Sequence, residues 1–252
     1  MTMEFRKVFD LIPSEFDAWR PRYCEEAFDD IIRYADLRPG KKVLEIGPGT
    51  GQATEPLLKT GCDYTGIELG EHLYEFAKKK FAAYPNCRFV NGDFCTYDFG
   101  GKQFDMIFSA ATIQWIGEPA FPICNRLLKT SGCLIMIANI SDDAARNPTM
   151  MLAEKDEVYR KYWHPETSYA CRIDKMKAVD YGFSQPEISD FYYDMDMTAD
   201  EFVCMTMTHA DHITLKEPDR TLFMEGLKNV VNRYGGVWKR HDRVNVVKTK
   251  KL

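Results

Sequence analysis

The sequence predicts an α/β fold built on a mostly parallel sheet, and three observations predict it. Short apolar runs alternate with amphipathic helical stretches from Val43 to Ala138, the rhythm that a parallel sheet with crossover helices requires. A glycine-rich turn, Gly47-Pro48-Gly49-Thr50-Gly51, follows the first of those runs directly. The run Leu134-Ile135-Met136-Ile137 is apolar on both faces, as a central strand covered by helices must be.

Taken in order, Ser14 to Ala35 is helical with a break at Pro21. Ala27, Phe28, Ile31, Ile32 and Ala35 fall on one stripe of it. Leu37-Arg38-Pro39-Gly40 stops that helix. Strands follow at Val43–Ile46, Tyr64–Leu69, Cys87–Asn91, Phe104–Ser109 and Gly132–Ala138. Helices over Gln52–Lys59, Glu71–Ala83 and Ala120–Leu128 fall between them. From Ser141 to Phe183 the rhythm gives way to a mostly helical insertion rich in bulky side chains, Met150, Met151, Tyr159, Tyr162, Trp163, Tyr169 and Met176. At helical spacing these serve equally as plain core or as an adaptable apolar lid over a substrate. A strand over Glu187–Met197, a helix over Glu217–Tyr234, a stop at Gly235-Gly236 and a strand over Arg243–Lys248 complete the chain. No linker or repeat divides it, so 1–252 is expected to form one domain, with 1–40 as an N-terminal helical cap and 141–183 as the insertion.

Composition narrows the class. With 45% hydrophobic and 28% charged residues over 252 positions, the chain can bury a core without metal or disulfide support. The formal charge is −5, and the basic tail from Lys248 to Lys251 is too short to track a phosphate backbone, so no nucleic-acid partner is expected. Eight scattered cysteines, with no C-x-x-C pair and no zinc-ligand spacing, indicate reduced thiols and no metal. Met1 to Asp10 lacks the apolar core of a signal peptide and no stretch has the length of a membrane span, so a cytoplasmic protein is expected.

The chemistry starts at the glycine turn. Glycine lets a backbone approach a ligand at the end of a first strand, where α/β sheets bind nucleotides. The dinucleotide fingerprint G-x-G-x-x-G is missed by one position, because the third glycine comes early and Gln52 stands where that fingerprint wants a small residue. Glu68, at the end of the second strand and 17 residues after Gly51, is placed to accept hydrogen bonds from two ribose hydroxyls. Asn91-Gly92-Asp93-Phe94 follows the third strand. There a carboxylate and a ring could clamp a purine, or Asp93 could simply cap a turn. Phe104-Asp105-Met106-Ile107-Phe108-Ser109 opens the fourth strand with an acid and leads into a loop ending at Gln114-Trp115.

These four segments in this order resemble the motifs of class I S-adenosylmethionine-dependent methyltransferases, over about Lys41 to Ala138. The resemblance implies a Rossmann-like, seven-stranded sheet with helices on both faces and S-adenosyl-L-methionine as cofactor. It implies that Glu45, Gly47, Pro48 and Gly49 surround the methionine portion and that Glu68 and Leu69 hold the ribose. Asp93 and Phe94 then take the adenine, and Ser109 and Ala110 lie near the sulfonium. The flanks are similar to a narrower group, the small-molecule methyltransferases like trans-aconitate methyltransferase. Phe16-Asp17-Ala18-Trp19-Arg20-Pro21-Arg22-Tyr23 matches a segment of that group, which implies Arg20 or Tyr23 over the amino-acid end of the cofactor. The group often has His-Trp after the fourth strand; this chain has Gln114-Trp115, and glutamine cannot act as a general base.

A sulfonium is already an activated methyl donor, so in-line displacement at near-attack distance needs a base only if the acceptor must lose a proton. The expected reaction is methylation of a small-molecule carboxylate or hydroxyl. Gln114, Trp115, His164, His209 and His212 are the candidate acceptor contacts, and no catalytic base is assigned. Two other readings stand beside it: a catalytically inactive module that binds the cofactor as a ligand, and an NAD-dependent oxidoreductase on a similar sheet.

Overall fold

The computed structural model describes residues 5–165 and 173–252; Tyr169 and Cys171 lie outside the described residues. The helical start resolves into α1 (Pro13–Trp19) and α2 (Glu25–Ala35), parted around Pro21, whose ring cannot continue a helix. Then come β1 (Lys42–Ile46), α3 (Thr54–Leu58), β2 (Asp63–Glu68), α4 (Glu71–Lys80), β3 (Cys87–Asn91) and β4 (Phe104–Ala110). They are followed by α5 (Ala120–Leu127), β5 (Leu128–Ser141), α6 (Thr149–Tyr162) and β6 (Glu187–Thr198). The chain ends with α7 (Ala199–Thr206), α8 (Ala210–Ile213), α9 (Asp219–Arg233) and β7 (Val237–Lys250). The helices α7 and α8 were not expected from the sequence, and β5 and β7 are longer than their apolar runs.

The sheet has seven strands in the order β3-β2-β1-β4-β5-β7-β6. β1 pairs in parallel with β2 and β4, β2 with β3, and β4 with β5. The strand order reverses beside β1, and in open α/β sheets that reversal leaves a crevice at the carboxyl ends of the strands. β7 runs the other way. Lys251 N–H donates to Gly132 O at 2.8 Å and Asp142 N–H to His241 O at 2.8 Å, so position rises on one strand as it falls on the other. The sheet is therefore mixed and mostly parallel, as the fold class requires.

The chain gathers into two compact units, each assembled from three stretches. The first comprises Met1–Pro21, Ile140–Ala170 and Tyr192–Arg243. Its described core is built on Phe202, Phe223, Leu227, Val231 and Trp238, with Tyr159, Tyr162 and Trp163 of the insertion packed against it. Phe202 and Trp238 stack with ring centroids 4.1 Å apart. The second comprises Arg22–Asn139, Cys171–Phe191 and Val244–Leu252. Here alternate residues of β4 point to opposite faces: Phe108 meets Phe28 of α2 at 6.4 Å, while Ile107 joins the cluster containing Phe121 of α5. Helices thus cover both faces of the parallel strands, which explains why β1 is buried from Val43 to Ile46. Among the described residues no helix is long and apolar enough to cross a membrane.

Candidate cofactor site

The parallel strands end together. Ile46 is paired with Ile67, Glu45 with Phe108 and Glu68 with Asn91, so the turns after β1, β2, β3 and β4 leave the sheet at one edge. The turn after β1 is held by its own amides. Gly47 N–H donates to Ile67 O at 2.8 Å, Gly49 N–H to Glu68 Oε2 at 2.9 Å and Gly51 N–H to Pro48 O at 2.8 Å. Glycine is required at two of these positions. Gly47 has φ +62° and a Cβ there would stand 2.4 Å from Thr112 Cγ2; Gly51 has φ +86° and a Cβ would stand 2.2 Å from the Phe81 ring.

Glu68 is the centre of the arrangement. Its carboxylate accepts from Gly49 N–H at one oxygen and from Gly70 N–H at the other, at 3.0 Å, and the residue is buried. Asn91 Nδ2 donates to Glu68 O at 2.9 Å and Gly92 N–H donates to the same carbonyl, tying the end of β3 to the end of β2. Carboxylate oxygens each have two lone pairs, so each can accept more than one hydrogen bond. A phosphate would meet something different. The glycine N–H groups are spent inside the turn, Glu68 adds a negative charge at Gly49, and α3 is only five residues long. A pyrophosphate cradle needs the opposite of all three.

The other sequence-predicted residues fall around this centre in distinct ways. Asp93 Oδ1 accepts from Cys95 N–H at 2.9 Å and its carbonyl accepts from Tyr97 N–H, so it does organise a turn. Phe94 is a core side chain, packed edge-on to Phe99 at 6.3 Å. Pro48 is buried and Leu69 half-buried. Ser109 is fully buried, and its hydroxyl accepts from Ile113 N–H at 2.9 Å, starting the short 3-10 turn that carries Gln114 and Trp115. Ala110 is half-buried, and Gln114 Nε2 is turned back to Ala111 O at 2.9 Å. Tyr23 packs edge-on to Phe28 at 6.4 Å. Asp105, at the opposite end of β4, accepts from Lys42 N–H and Lys129 Nζ, each at 2.8 Å, and serves the sheet.

Glu45 lies under the turn with no exposed surface. Its Oε2 accepts from Tyr64 OH at 2.6 Å and from Thr54 Oγ1 at 2.8 Å, while Oε1 is buried without a hydrogen-bond partner. Burial pushes the carboxyl up to about 7, against the two hydroxyl donors and with the charge of Glu68 adding to the rise. Sequence reasoning gave no role to Thr54, Tyr64, Gly70 or Thr112. Thr112 Oγ1 donates to Gly47 O at 3.0 Å and to Ala110 O at 3.2 Å, stapling the turn after β4 to the turn after β1. A lone threonine after a strand carries no signal of such a contact 65 residues away.

The first unit holds the remaining candidates. Arg20 donates to Thr208 O at 3.1 Å and lies over the Phe16 ring at 5.2 Å. His209 and His212 come together, with ring centroids 5.5 Å apart, whereas His164 is exposed and contacts Lys161 O. Burial, with the positive charge of Arg20 adding, pulls His209 down to about 3, so this imidazole is neutral.

Residues 44–136 match the methyltransferase-domain family. The chain is 25% identical over 210 residues to a demethylmenaquinone methyltransferase of Tropheryma whipplei, covering 76% of this chain and 78% of that protein. A ribosomal RNA small subunit methyltransferase A of Dehalococcoides mccartyi is 41% identical, over 63 residues that make up 25% of this chain and 22% of that one. Phosphoethanolamine N-methyltransferase 2 of Haemonchus contortus, solved with phosphomonomethylethanolamine and S-adenosylhomocysteine, shares the fold at a TM-score of 0.59 and 17% identity. That match covers 99% of this chain, which spans 60% of the worm enzyme. A putative methyltransferase of Bacillus halodurans shares it at 0.56 and 15% identity, over 89% of this chain and 98% of that one. The matched segment, the strand order and the glycine turn closed on Glu68 together show a class I S-adenosylmethionine-dependent methyltransferase domain over residues 44–136.

Proposed function

We propose that the protein transfers a methyl group from S-adenosylmethionine to a small-molecule acceptor. The observation that carries the residue assignments is the Glu68 carboxylate bridging Gly49 and Gly70 at the end of β2, an acceptor group suited to ribose hydroxyls that repels phosphate. Around it, Gly47, Pro48 and Gly49 face the methionine portion and Leu69 flanks the ribose. Asp93 accepts from the adenine amine, with Phe94 contributing backbone because its ring is core. Ala110 borders the reacting end. When bound, the cofactor supplies a sulfonium whose methyl is already electrophilic. The protein's part is to orient it, and the paired turns at Gly47 and Thr112 fix the backbone that does so.

A small acceptor is supported by the demethylmenaquinone methyltransferase relative and by the charge of −5. The RNA-methylating relatives match only a short stretch. Labelled methyl donor should therefore be turned over with members of a metabolite panel and not with ribosomal RNA. Turnover on RNA alone would overturn the choice of acceptor class, and no turnover on any acceptor with the cofactor bound would favour a binding module.

A further inference from the structure

Two carboxyl groups bracket the glycine turn, and their donors are distributed differently. Glu68 accepts a backbone N–H at each oxygen, from Gly49 and from Gly70. Glu45, fully buried, has both of its donors on Oε2 and none on Oε1. Thr54 ties it to the turn: its hydroxyl donates to Glu45 Oε2 at 2.8 Å and its N–H to Gly51 O at 3.4 Å. Thr54 Oγ1 and Tyr64 OH lie 3.2 Å apart, so the three side chains close on that one oxygen. A carboxylate here would place part of its charge on an oxygen that meets no donor, away from water. A neutral carboxyl avoids that cost by holding its proton on Oε1, which leaves Oε2 to accept from both hydroxyls.

The neighbouring elements bring these groups to Glu45. On β2 they are Tyr64 and Glu68, and the charge of Glu68 works against a second anion. Cys87 of β3 feels the same repulsion, its thiol raised chiefly by burial and then by Glu45. On β4 the residue paired with Glu45 is Phe108, apolar and buried. Glu55 of α3 is turned to Lys59 and Tyr84. From α4, Lys80 donates to Thr50 O of the turn at 3.1 Å, and His72 is exposed. Burial, with Glu68 adding, lifts the Glu45 carboxyl to about 7 against its two hydroxyl donors. A cation placed on the turn would reverse part of that rise, because charges interact strongly where water is excluded.

We propose that Glu45 sets the preference of the site for S-adenosylmethionine over its product, S-adenosylhomocysteine: neutral in the free chain, it gives its proton to solvent when the cationic cofactor settles on the turn. This rests on the reading of that turn as the cofactor site. The two molecules differ at sulfur, a positively charged sulfonium in the cofactor and an uncharged thioether once the methyl has left. Only the cofactor stabilises the Glu45 carboxylate through that charge. Its binding breaks the O–H bond at Glu45 and passes the proton to water. Methyl transfer removes the sulfonium charge, and the carboxyl takes a proton back. The product is then held without the charge pair, and more weakly. Glu45 acts through the field across the turn, as a positioning residue. The carboxylate forms more easily as pH rises toward about 7, so affinity for S-adenosylmethionine rises with pH up to there and then levels.

Isothermal titration of the full chain in buffers of different ionisation enthalpy counts the protons released on binding. The range runs from about pH 5.5 to about 7, where the ammonium group of both ligands stays protonated. S-adenosylmethionine should release about half a proton at about pH 6.5 and bind about 4-fold more tightly at the top of the range than at the bottom. Those values follow when a nearby opposite charge brings the carboxyl down from about 7 to about 6. S-adenosylhomocysteine should release less than about 0.2 proton and bind almost independently of pH. Glu45→Gln should abolish the release and hold the ratio of the two affinities constant across the range. Tyr64→Phe removes a donor that favours the carboxylate and should move the rise to higher pH. It decides the matter if thermal melting shows Glu45→Gln to be misfolded. No release by a wild-type chain that binds the cofactor, equal release with both ligands, or release that survives in Glu45→Gln would overturn the proposal and leave the cofactor site in place. Absence of S-adenosylmethionine binding by the wild-type chain would remove the cofactor reading itself.

Discussion

Glu45 shows how much one side chain can be bent by its place. The carboxyl sits in the apolar floor under the glycine turn with Tyr64 and Thr54 donating to one oxygen and nothing to the other. Its ordinary value of 4.5 is pushed up to about 7, chiefly by burial. Between those values the folded chain keeps a proton that the unfolded chain has released. The stabilisation is therefore complete below about pH 4.5 and is lost as pH rises toward about 7, a change on the order of 3 kcal/mol. Glu45→Gln keeps an acceptor for both hydroxyls and cannot ionise. Denaturant unfolding should show wild-type stability falling across that window and the variant's staying flat. Parallel curves would mean that Glu45 is solvated and titrates normally. The same residue marks a limit of sequence reading. Its membership in the motif was legible, but its partners were not, because Tyr64 and Thr54 reach it only when β1, β2 and α3 are assembled.

At the scale of elements, the turns after the strands are joined to each other. Thr112 holds Gly47, Gly49 meets Glu68, and Asn91 holds Glu68. Two glycines separate strain from contact. Gly40 has φ +88° with open space where a Cβ would go, whereas at Gly47 the Cβ would meet Thr112 at 2.4 Å. Gly40→Ala should cost about 1 kcal/mol of stability from the backbone alone. Gly47→Ala should cost about 2 kcal/mol more from overpacking, and adding Thr112→Ala should recover part of that difference. Equal costs at Gly40 and Gly47 would show that the two turns do not touch. The parallel strands were legible because they are apolar on both faces. β7 was read short for the opposite reason. Its inward positions run Trp238, Arg240, Asp242, Val244 and Val246, and the buried Arg240 and Asp242 satisfy each other with hydrogen bonds of 2.8–3.1 Å, which hides the apolar alternation. α7 did carry a signal, Thr198-Ala199-Asp200-Glu201, whose ends cap each other in the folded chain.

Over the whole molecule, the chain gathers into two compact units, each sewn from three stretches of sequence. The boundaries at 139/140, 191/192 and 243/244 fall inside β5, β6 and β7, so no composition shift or linker marks them. Nor was the contact between His212 Nε2 and Tyr159 OH legible, because 53 residues separate the tyrosine from the histidine it meets. The cofactor elements, in contrast, follow one another along the chain in the order in which the sheet uses them. The central claim is that Glu68 and the turn it closes hold S-adenosylmethionine. Isothermal titration of the full chain with that compound tests it most directly, run beside Glu68→Ala and with NAD as the second ligand. The account predicts one saturable site for S-adenosylmethionine, weakened about 10- to 100-fold in Glu68→Ala with its melting transition retained, and no saturable heat with NAD. Tighter binding of NAD, or an affinity for S-adenosylmethionine that Glu68→Ala leaves unchanged, would contradict it.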